Sequence, residues 1–174
     1  MIKGVFVVNT QDGRRIAARW LTSDPVFGIF EKQRVIEEDA VAKAQASSVA
    51  KSDVDISVVQ NLSLLSKIYS DCVLALVVTD DENELFMTEV VESMAACLDS
   101  VCLGNVNSSS LFDNLNQVFL MLDEIFDDGH VFETDAEALI HRVTHSTPHK
   151  EEAQTFNSAL FTARDSLIRS LMSG

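Results

Sequence analysis

Residues 72 to 78 read CVLALVV, an unbroken apolar run with polar residues on both sides. A run of this length that is rich in valine is typical of a strand buried on both faces. A sheet that contains such a strand must be covered by other elements on each side. The run therefore restricts the chain to a layered fold with a sheet in the middle.

Four further apolar runs predict the rest of that sheet. Residues 2 to 9 and 14 to 20 are β-prone and are joined by TQDG, which indicates an opening hairpin. Residues 54 to 79 divide into three strands, with a tight turn at Gln60-Asn61 because asparagine tolerates positive φ. The sequence therefore predicts an antiparallel sheet of five strands.

Helical segments are predicted on both faces of the sheet. The first has Asp24 as N-cap and Pro25 at its first position, and it runs to about Ala46. A second starts in a capping-box-like DDENEL with Asp81 as N-cap, and Gly104 ends it. We expect the first helix on one face, and the second on the other together with the helix that follows.

Residues 122 to 135, LDEIFDDGHVFETD, carry six acidic side chains. The apolar spacing predicts a helix that begins near Leu111 and places the first four acids on the polar side of its last turns, with Gly129 as its C-terminal cap. Thr134 then opens a T-D-A-E capping box for a last helix that ends near Thr144. The four acids in question are Asp123, Glu124, Asp127 and Asp128.

No catalytic, cofactor or metal site is predicted. A calcium loop with Gly129 in its sixth place has the apolar Phe126 at a ligand position. The serine cluster before Leu111 is a helix cap rather than a G-x-S-x-G elbow, and no phosphate-binding glycine pattern occurs. The histidines lack the HExxH or cysteine pattern of a metal site. The three cysteines form no CxxC pair, which indicates small core residues in a reducing compartment. These groups are His130, His141, His145 and His149, and Cys72, Cys97 and Cys102.

The charge of the chain is unevenly distributed. The formal net charge is -14, and the 74 residues between Lys67 and Arg142 contain sixteen acids and no lysine or arginine. Such a surface repels nucleic acid and anionic lipid, and it suits a basic partner. Glu89, Glu92 and Asp99 interrupt the longest apolar region, which predicts a soluble protein whose membrane contact is indirect.

The last segment has a pattern of its own. A hinge, HSTPHK, divides a domain over residues 1–145 from an amphipathic C-terminal helix within residues 146–174. The apolar stripe of this helix either packs on the domain or anchors a partner. The candidate partner-binding residues are Phe156, Leu160, Phe161, Leu167 and Ile168.

Two stretches resemble a known family. DENELFMTEVVESMAACLDSVC and NLNQVFLMLDEIFDDGHVFETDAEALIHRV are similar to the coatomer zeta subunits, which have an ENEL-type helix start, a helix ending LDEI, and an acidic-glycine turn. The resemblance is closest over residues 71–143 and looser over residues 2–70. Sigma subunits of clathrin adaptors share the layout but end soon after the last helix, so the sigma type is the alternative. Longin-type SNAREs would need a longer heptad segment.

The resemblance implies a fold and a function. The fold is an α+β, longin-like (SNARE-like) domain with helices on both faces of a five-stranded antiparallel sheet. The function is that of a non-enzymatic subunit of the COPI coat in Golgi-to-ER retrograde and intra-Golgi transport. The implied partners are the large gamma subunit, through it the other coatomer subunits, and an Arf-family GTPase. We therefore expect a cytoplasmic protein that is peripheral on Golgi membranes and vesicles and has no small-molecule substrate.

Overall fold

The computed structural model describes residues 1–20, 27–47, 53–127 and 129–145. One compact unit spans Met1–Val143, and a second begins at Thr144. Within the described ranges, no helix is long and apolar enough to cross a membrane.

A five-stranded antiparallel sheet forms the centre of the first unit. The strand order is β2-β1-β5-β4-β3, so β5 lies in the middle. Every side chain from Cys72 to Val78 is buried, which confirms the prediction made from the apolar run. The strands are β1 (Ile2–Asn9), β2 (Arg15–Trp20), β3 (Asp55–Val59), β4 (Leu62–Ile68) and β5 (Cys72–Thr79).

Local turn chemistry fixes the register of the two outer strand pairs. Gln60 and Asn61 have φ values of 50° and 63°, as a two-residue hairpin turn between β3 and β4 requires, and Val59 pairs with Leu62. In the first hairpin the Asn9 side chain accepts hydrogen bonds from the backbone N–H groups of Gln11 and Asp12. Both turns confirm the sequence-based prediction.

Five helices and a second, two-stranded sheet complete the described part of the chain. One helix covers the first face of the five-stranded sheet, and the others contribute to the apolar core on the second face, as predicted. The helices are α1 (Phe30–Ala46), α2 (Glu84–Val101), α3 (Ser108–Asp113), α4 (Leu115–Ile125) and α5 (Ala136–His145), and the short strands are β6 (Phe126–Asp127) and β7 (His130–Val131).

The core beneath α1 combines stacked aromatic rings with a buried carboxylate. The Trp20 ring stacks between Phe6 and Phe27, at centroid distances of 5.6 and 6.1 Å. Glu37 of α1 is buried and bonds Arg15 of β2, at 2.6 Å between its Oε1 and Nη2 of the arginine. Because Glu37 joins the helix to an edge strand, it fixes α1 on this face.

The start of α1 differs from the prediction. Asp24 and Pro25 lie outside the described residues, but Phe27 and Gly28 form a turn and Ile29 is the N-cap, so the helix does not begin at Pro25. The Phe27 side chain is drawn into the core by its stacking on Trp20. Its carbonyl oxygen accepts a 2.5 Å hydrogen bond from Gln33 Nε2, which holds the turn ahead of the helix.

The cap of α2 also differs. Asn83 rather than Asp81 is the N-cap, and its side-chain oxygen accepts from the backbone N–H groups of Leu85 and Phe86 at 3.1 and 3.3 Å. A hydrogen bond with the Thr79 hydroxyl lowers the pKa of Asp81, which is therefore engaged outside the helix. At the other end, Gly104 has φ +77° and its N–H bonds the Asp99 carbonyl at 2.7 Å, so the predicted end is confirmed.

The acidic stretch is not a helix end joined directly to a helix start. The helix α4 ends at Ile125, and β6 pairs with β7 in a small hairpin that includes Asp127 and Gly129. Phe126 has an extended backbone and a buried side chain, so it does not continue the helix. A longer helix would also place more carboxylates at its C-terminal end, where they oppose the helix dipole. The predicted C-terminal cap at Gly129 is therefore wrong, although this residue does adopt positive φ.

The cap of the last described helix lies one residue later than predicted. The Asp135 side chain accepts hydrogen bonds from Glu137 N at 2.9 Å and Ala138 N at 3.4 Å. Thr134 instead offers its carbonyl oxygen to the Ser93 hydroxyl at 2.6 Å. Thr134 therefore connects the chain to α2, and Asp135 caps α5, which begins at Ala136.

The cysteines are buried thiols, and they give a pH-dependent prediction. Burial raises the pKa of Cys72 and of Cys97 to about 12. The folded state therefore holds these protons more tightly than the unfolded chain. Their stabilising contribution is complete below about pH 8.5, the thiol pKa in an unfolded chain, and is lost as pH rises towards the folded value.

We expect the free energy of unfolding to fall above that pH by up to about 1.4 kcal/mol per pH unit for each thiol. Urea denaturation at a series of alkaline pH values measures this slope. Cys97→Ala should make the slope shallower, whatever it does to stability at neutral pH. A free energy of unfolding that stays constant through the alkaline range would contradict the expected burial effect.

Candidate partner interface

The helix α3 is anchored to the sheet by polar contacts at its first residues. The Asn107 side chain and Ser110 form a reciprocal capping box. Ser108 N donates to Asp71 Oδ1 at 2.9 Å, and the Ser108 hydroxyl accepts from Asn9 Nδ2 at 2.8 Å. These bonds connect the start of α3 to the ends of β1 and β5.

One side of α3 and α4 packs on the sheet, and an adjacent side carries exposed aromatic rings. Phe112 follows the buried Leu111, and Phe119 follows the buried Val118, so each phenylalanine is rotated about 100° from the core-facing direction. They are 50% and 43% exposed. Phe112 therefore lies beside the core-facing side of α3, and Phe119 lies beside the core-facing side of α4.

Ion pairs hold α4 to its neighbours at its C-terminal end. Asp123 pairs with Arg19 of the edge strand β2. Arg142 of α5 reaches both Glu124 and Glu133, at 3.2 and 3.1 Å. Arg19 and Arg142 thus connect this end of α4 to β2 and to α5.

A cleft opens beside these ion pairs. Phe132 is 72% exposed at its rim, whereas Phe126 is buried beneath it. Three carboxylates and one guanidinium line the cleft, so its wall is negative. The lining residues are Arg19, Asp123, Glu124, Phe126, Asp127 and Phe132.

The exposed rings and the carboxylates lie on consecutive elements, α3, α4 and the hairpin that follows α4. Phe119 lies one helical turn before Asp123, and Asp123 shares the cleft with Asp127 and Phe132. Exposed phenylalanines surrounded by acidic groups are typical of a docking surface for a basic, partly apolar partner. We call this surface the aromatic–acidic face, defined by Phe112, Phe119, Asp123, Asp127 and Phe132.

Sequence reasoning did not identify this face. It predicted one helix from near Leu111 to a cap at Gly129, in which Phe112 and Phe119 fall next to the apolar residues, and Phe132 follows that cap. The two helices instead meet at Asn114, whose Nδ2 donates to the Ser110 carbonyl oxygen at 2.8 Å. One pattern in the sequence could have indicated the exposed rings: Phe112 and Phe119 each directly follow a residue predicted to face the core, a leucine and a valine.

The five candidate partner-binding residues of the tail, Phe156, Leu160, Phe161, Leu167 and Ile168, lie outside the described residues. Among the residues that the structure does describe, no group of three metal-ligating side chains occurs. The acidic stretch has Phe126 buried at the position where a calcium loop needs an oxygen ligand. Asp123 and Glu124 are paired with arginines.

Comparisons with known proteins agree on one family. The sequence profile described as clathrin adaptor complex small chain matches residues 1–150. Coatomer subunit zeta-1 of Arabidopsis thaliana is 30% identical over 98% of this chain and 96% of its own length. Coatomer subunit zeta-3 of Oryza sativa is 29% identical over 99% of this chain and 97% of its own length.

A mammalian relative and a structural comparison extend this similarity. Coatomer subunit zeta-2 of Mus musculus is 28% identical over 97% of this chain and 80% of its own length. A chain in a homology model of the full-length AP-3 complex, in a stretched open conformation, matches with a TM-score of 0.63. That match covers 89% of this chain and 98% of the other at 20% identity, and it bears on the fold alone.

Proposed function

The chain belongs to the clathrin adaptor complex small chain family, and on that premise we propose that it is a zeta-type subunit of the COPI vesicle coat. The observation that carries the proposal is the 30% identity to a coatomer zeta subunit over 98% of the chain. The sigma-type alternative has the family-level profile alone in its favour, whereas the zeta relatives match through the C-terminal segment as well.

The proposed role is structural rather than catalytic. A catalytic site requires a nucleophile or titratable groups that converge in a pocket. In the described part of the chain, the cysteines are buried and the cleft beside α4 is lined by carboxylates that already have arginine partners or lie open to solvent. This surface instead supports binding to a larger subunit.

The proposed partner is the large gamma subunit of coatomer, through which the chain would join the other coat subunits. The aromatic–acidic face supports this proposal because exposed rings supply contact area and the carboxylates attract a basic surface. Attachment to Golgi membranes would then be indirect, through the assembled coat and an Arf-family GTPase. Retrograde transport from the Golgi to the ER, and transport within the Golgi, are the corresponding processes.

The tail is a second proposed contact. We assign residues 1–145 to the longin-like domain and residues 146–174 to a hinge and an amphipathic segment that binds the same large subunit. The spacing of Phe156, Leu160 and Leu167 supports a helix with one apolar stripe, flanked by Phe161 and Ile168. Such a stripe is stable in water only when something covers it.

Co-purification tests both the partner and the tail. The tagged chain, recovered from cytosol, should bring down the gamma subunit and other coatomer subunits, identified by mass spectrometry. The double variant Phe156→Ala with Leu160→Ala should recover less gamma subunit while the melting temperature is unchanged. A lowered melting temperature with undiminished recovery would instead place the stripe on the domain's own core. Recovery of an adaptor large subunit in place of gamma would support the sigma type.

A further inference from the structure

The strand β3 is an outer strand whose free edge can be identified residue by residue. The pairs Val59–Leu62, Ser57–Leu64 and Asp55–Ser66 alternate along the β3–β4 ladder. The residues that flank a two-residue turn form a hydrogen-bonded pair, and such pairs recur at every second residue of an antiparallel ladder. The backbone N–H and C=O groups of Ile56 and Val58 therefore point away from β4.

The side chains of the same two residues are apolar and exposed. Ile56 and Val58 are 41% and 65% exposed, and within the described ranges β3 pairs with β4 alone. Ile56 lies opposite Leu65, which belongs to the core shared with α2, so both side chains are on the α2 side of the sheet. Neither proline nor lysine, the residues that commonly protect an edge, occurs in β3.

The side of α2 that lies next to β4, the neighbour of β3, is acidic. Glu92 reaches across to Lys67 of β4, at 2.5 Å between Oε2 and Nζ, and Asp99 lines a cleft together with Lys67. Glu89 is three positions before Glu92 and therefore lies on the same side of the helix. Three carboxylates and one ammonium group thus lie on the β4 side of α2.

We propose that the free edge of β3 accepts an extended, basic segment of a partner protein as a sixth strand of the sheet. The outward backbone groups of Ile56 and Val58 supply the hydrogen bonds of strand addition, and their side chains supply an apolar contact. The carboxylates of α2 select lysine or arginine at the flanking positions of the added strand. This surface is separate from the aromatic–acidic face, since β3 and β2 are opposite edges of the sheet.

The probe is a blocked heptapeptide, Lys-Thr-Val-Thr-Val-Thr-Lys, titrated into the whole protein while backbone amide signals are followed by NMR. The two valines of the peptide can lie opposite Ile56 and Val58, with its lysines towards α2. The amides of Ile56 and Val58 should become protected from solvent exchange on binding. The Ser57 amide is already in the ladder with β4, so its protection should not change.

Two matched changes isolate the backbone contact. Val58→Pro removes an N–H that the ladder does not use and changes the exposed side chain. Proline is tolerated on the open side of an edge strand, so this variant should weaken peptide binding about tenfold without unfolding the sheet. Val58→Thr also reduces the apolar contact but keeps the N–H, so it should bind the peptide clearly more tightly than Val58→Pro. On the peptide, N-methylation of the two valines should abolish binding to the unaltered protein, which makes the test independent of how the proline variant folds.

Four results would overturn the proposal. Equal binding of the N-methylated peptide would exclude strand addition, and equal binding of a peptide with glutamate in place of lysine would exclude selection by the carboxylates. Lack of binding by the lysine peptide at millimolar concentration would exclude the site. Concentration-dependent self-association that Val58→Pro prevents would assign the edge to a second copy of this chain and not to a basic partner segment.

Discussion

Replacing Glu37 by alanine is expected to lower the free energy of unfolding by about 3 kcal/mol, the lower end of what breaking a buried ion pair costs. Glu37 is only 1% exposed and bonds two guanidinium groups, Arg15 Nη2 at 2.6 Å and Arg34 Nη1 at 3.2 Å. The indole N–H of Trp20 lies 3.4 Å from the same carboxylate. Its removal would leave Arg15 half-buried without its strongest partner.

The loss is expected to be large because Arg15 would keep the neutral Gln33 Oε1, 3.0 Å from its Nη2, in place of a carboxylate. The Arg15 Nε atom is already buried without a hydrogen-bond partner. The partial exposure of the two arginine side chains, 25% and 28%, lets water reach them and keeps the cost at the lower end of the range. Glu37→Gln should cost less than the alanine variant, since it keeps the size of the side chain and an oxygen acceptor.

Glu38 offers a control on the same helix. It is 67% exposed and lies 3.7 Å from Arg34 Nη2, a geometry in which an ion pair contributes about 0.5 kcal/mol or less. Urea denaturation of Glu37→Ala and Glu38→Ala, compared with wild type, measures the difference. A loss for Glu37→Ala no larger than for Glu38→Ala would contradict the assignment of this carboxylate as the link between α1 and β2.

The second large effect concerns the aromatic–acidic face. Replacing Phe112 and Phe119 together by serine should weaken binding of the gamma subunit about a thousandfold, since an aromatic hot-spot residue contributes about 2 kcal/mol and each step of about 1.4 kcal/mol is a factor of ten. Both rings are about half exposed in the isolated chain, so their loss should change its melting temperature little. Binding is measured by calorimetry or on a biosensor surface with recombinant gamma subunit.

Val35→Ser is the matched control for this pair. Val35 is 45% exposed, but it lies on α1, on the opposite side of the sheet from α4. Binding should be unaffected if the large subunit docks on the aromatic–acidic face. Reduced binding by Val35→Ser with wild-type binding by the double variant would move the interface to the α1 side.

Much of the fold follows from local sequence because the decisive signals are local. The run from Cys72 to Val78 could be buried on both faces only as a central strand, and Gln60-Asn61 is a two-residue turn by its own backbone preference. The deviations occur where a tertiary contact competes with the local pattern. Phe27 stacks on Trp20 and delays α1, and Phe126 enters the core in an extended conformation and ends α4 at Ile125.

The candidate interface was less predictable for a physical reason. Periodicity identifies the side of a helix that is apolar, but it does not give the width of the side that the protein core can cover. In α3 and α4 the core covers Leu111, Val118 and Leu122 and leaves Phe112 and Phe119 at the margin. The distribution of acidic residues was visible in the sequence, whereas their pairing with Arg19 and Arg142 depends on the fold.

Binding kinetics against the recombinant trunk of the gamma subunit test the central claim most directly. With the chain immobilised and salt varied around physiological strength, where exposed charges are screened within about 8 Å, association should slow as salt rises and dissociation should stay nearly constant. That result is expected if the acidic residues speed encounter and apolar contacts hold the complex. Absence of detectable binding at micromolar concentration, with both proteins shown to be folded, would contradict the assignment as a zeta-type coat subunit.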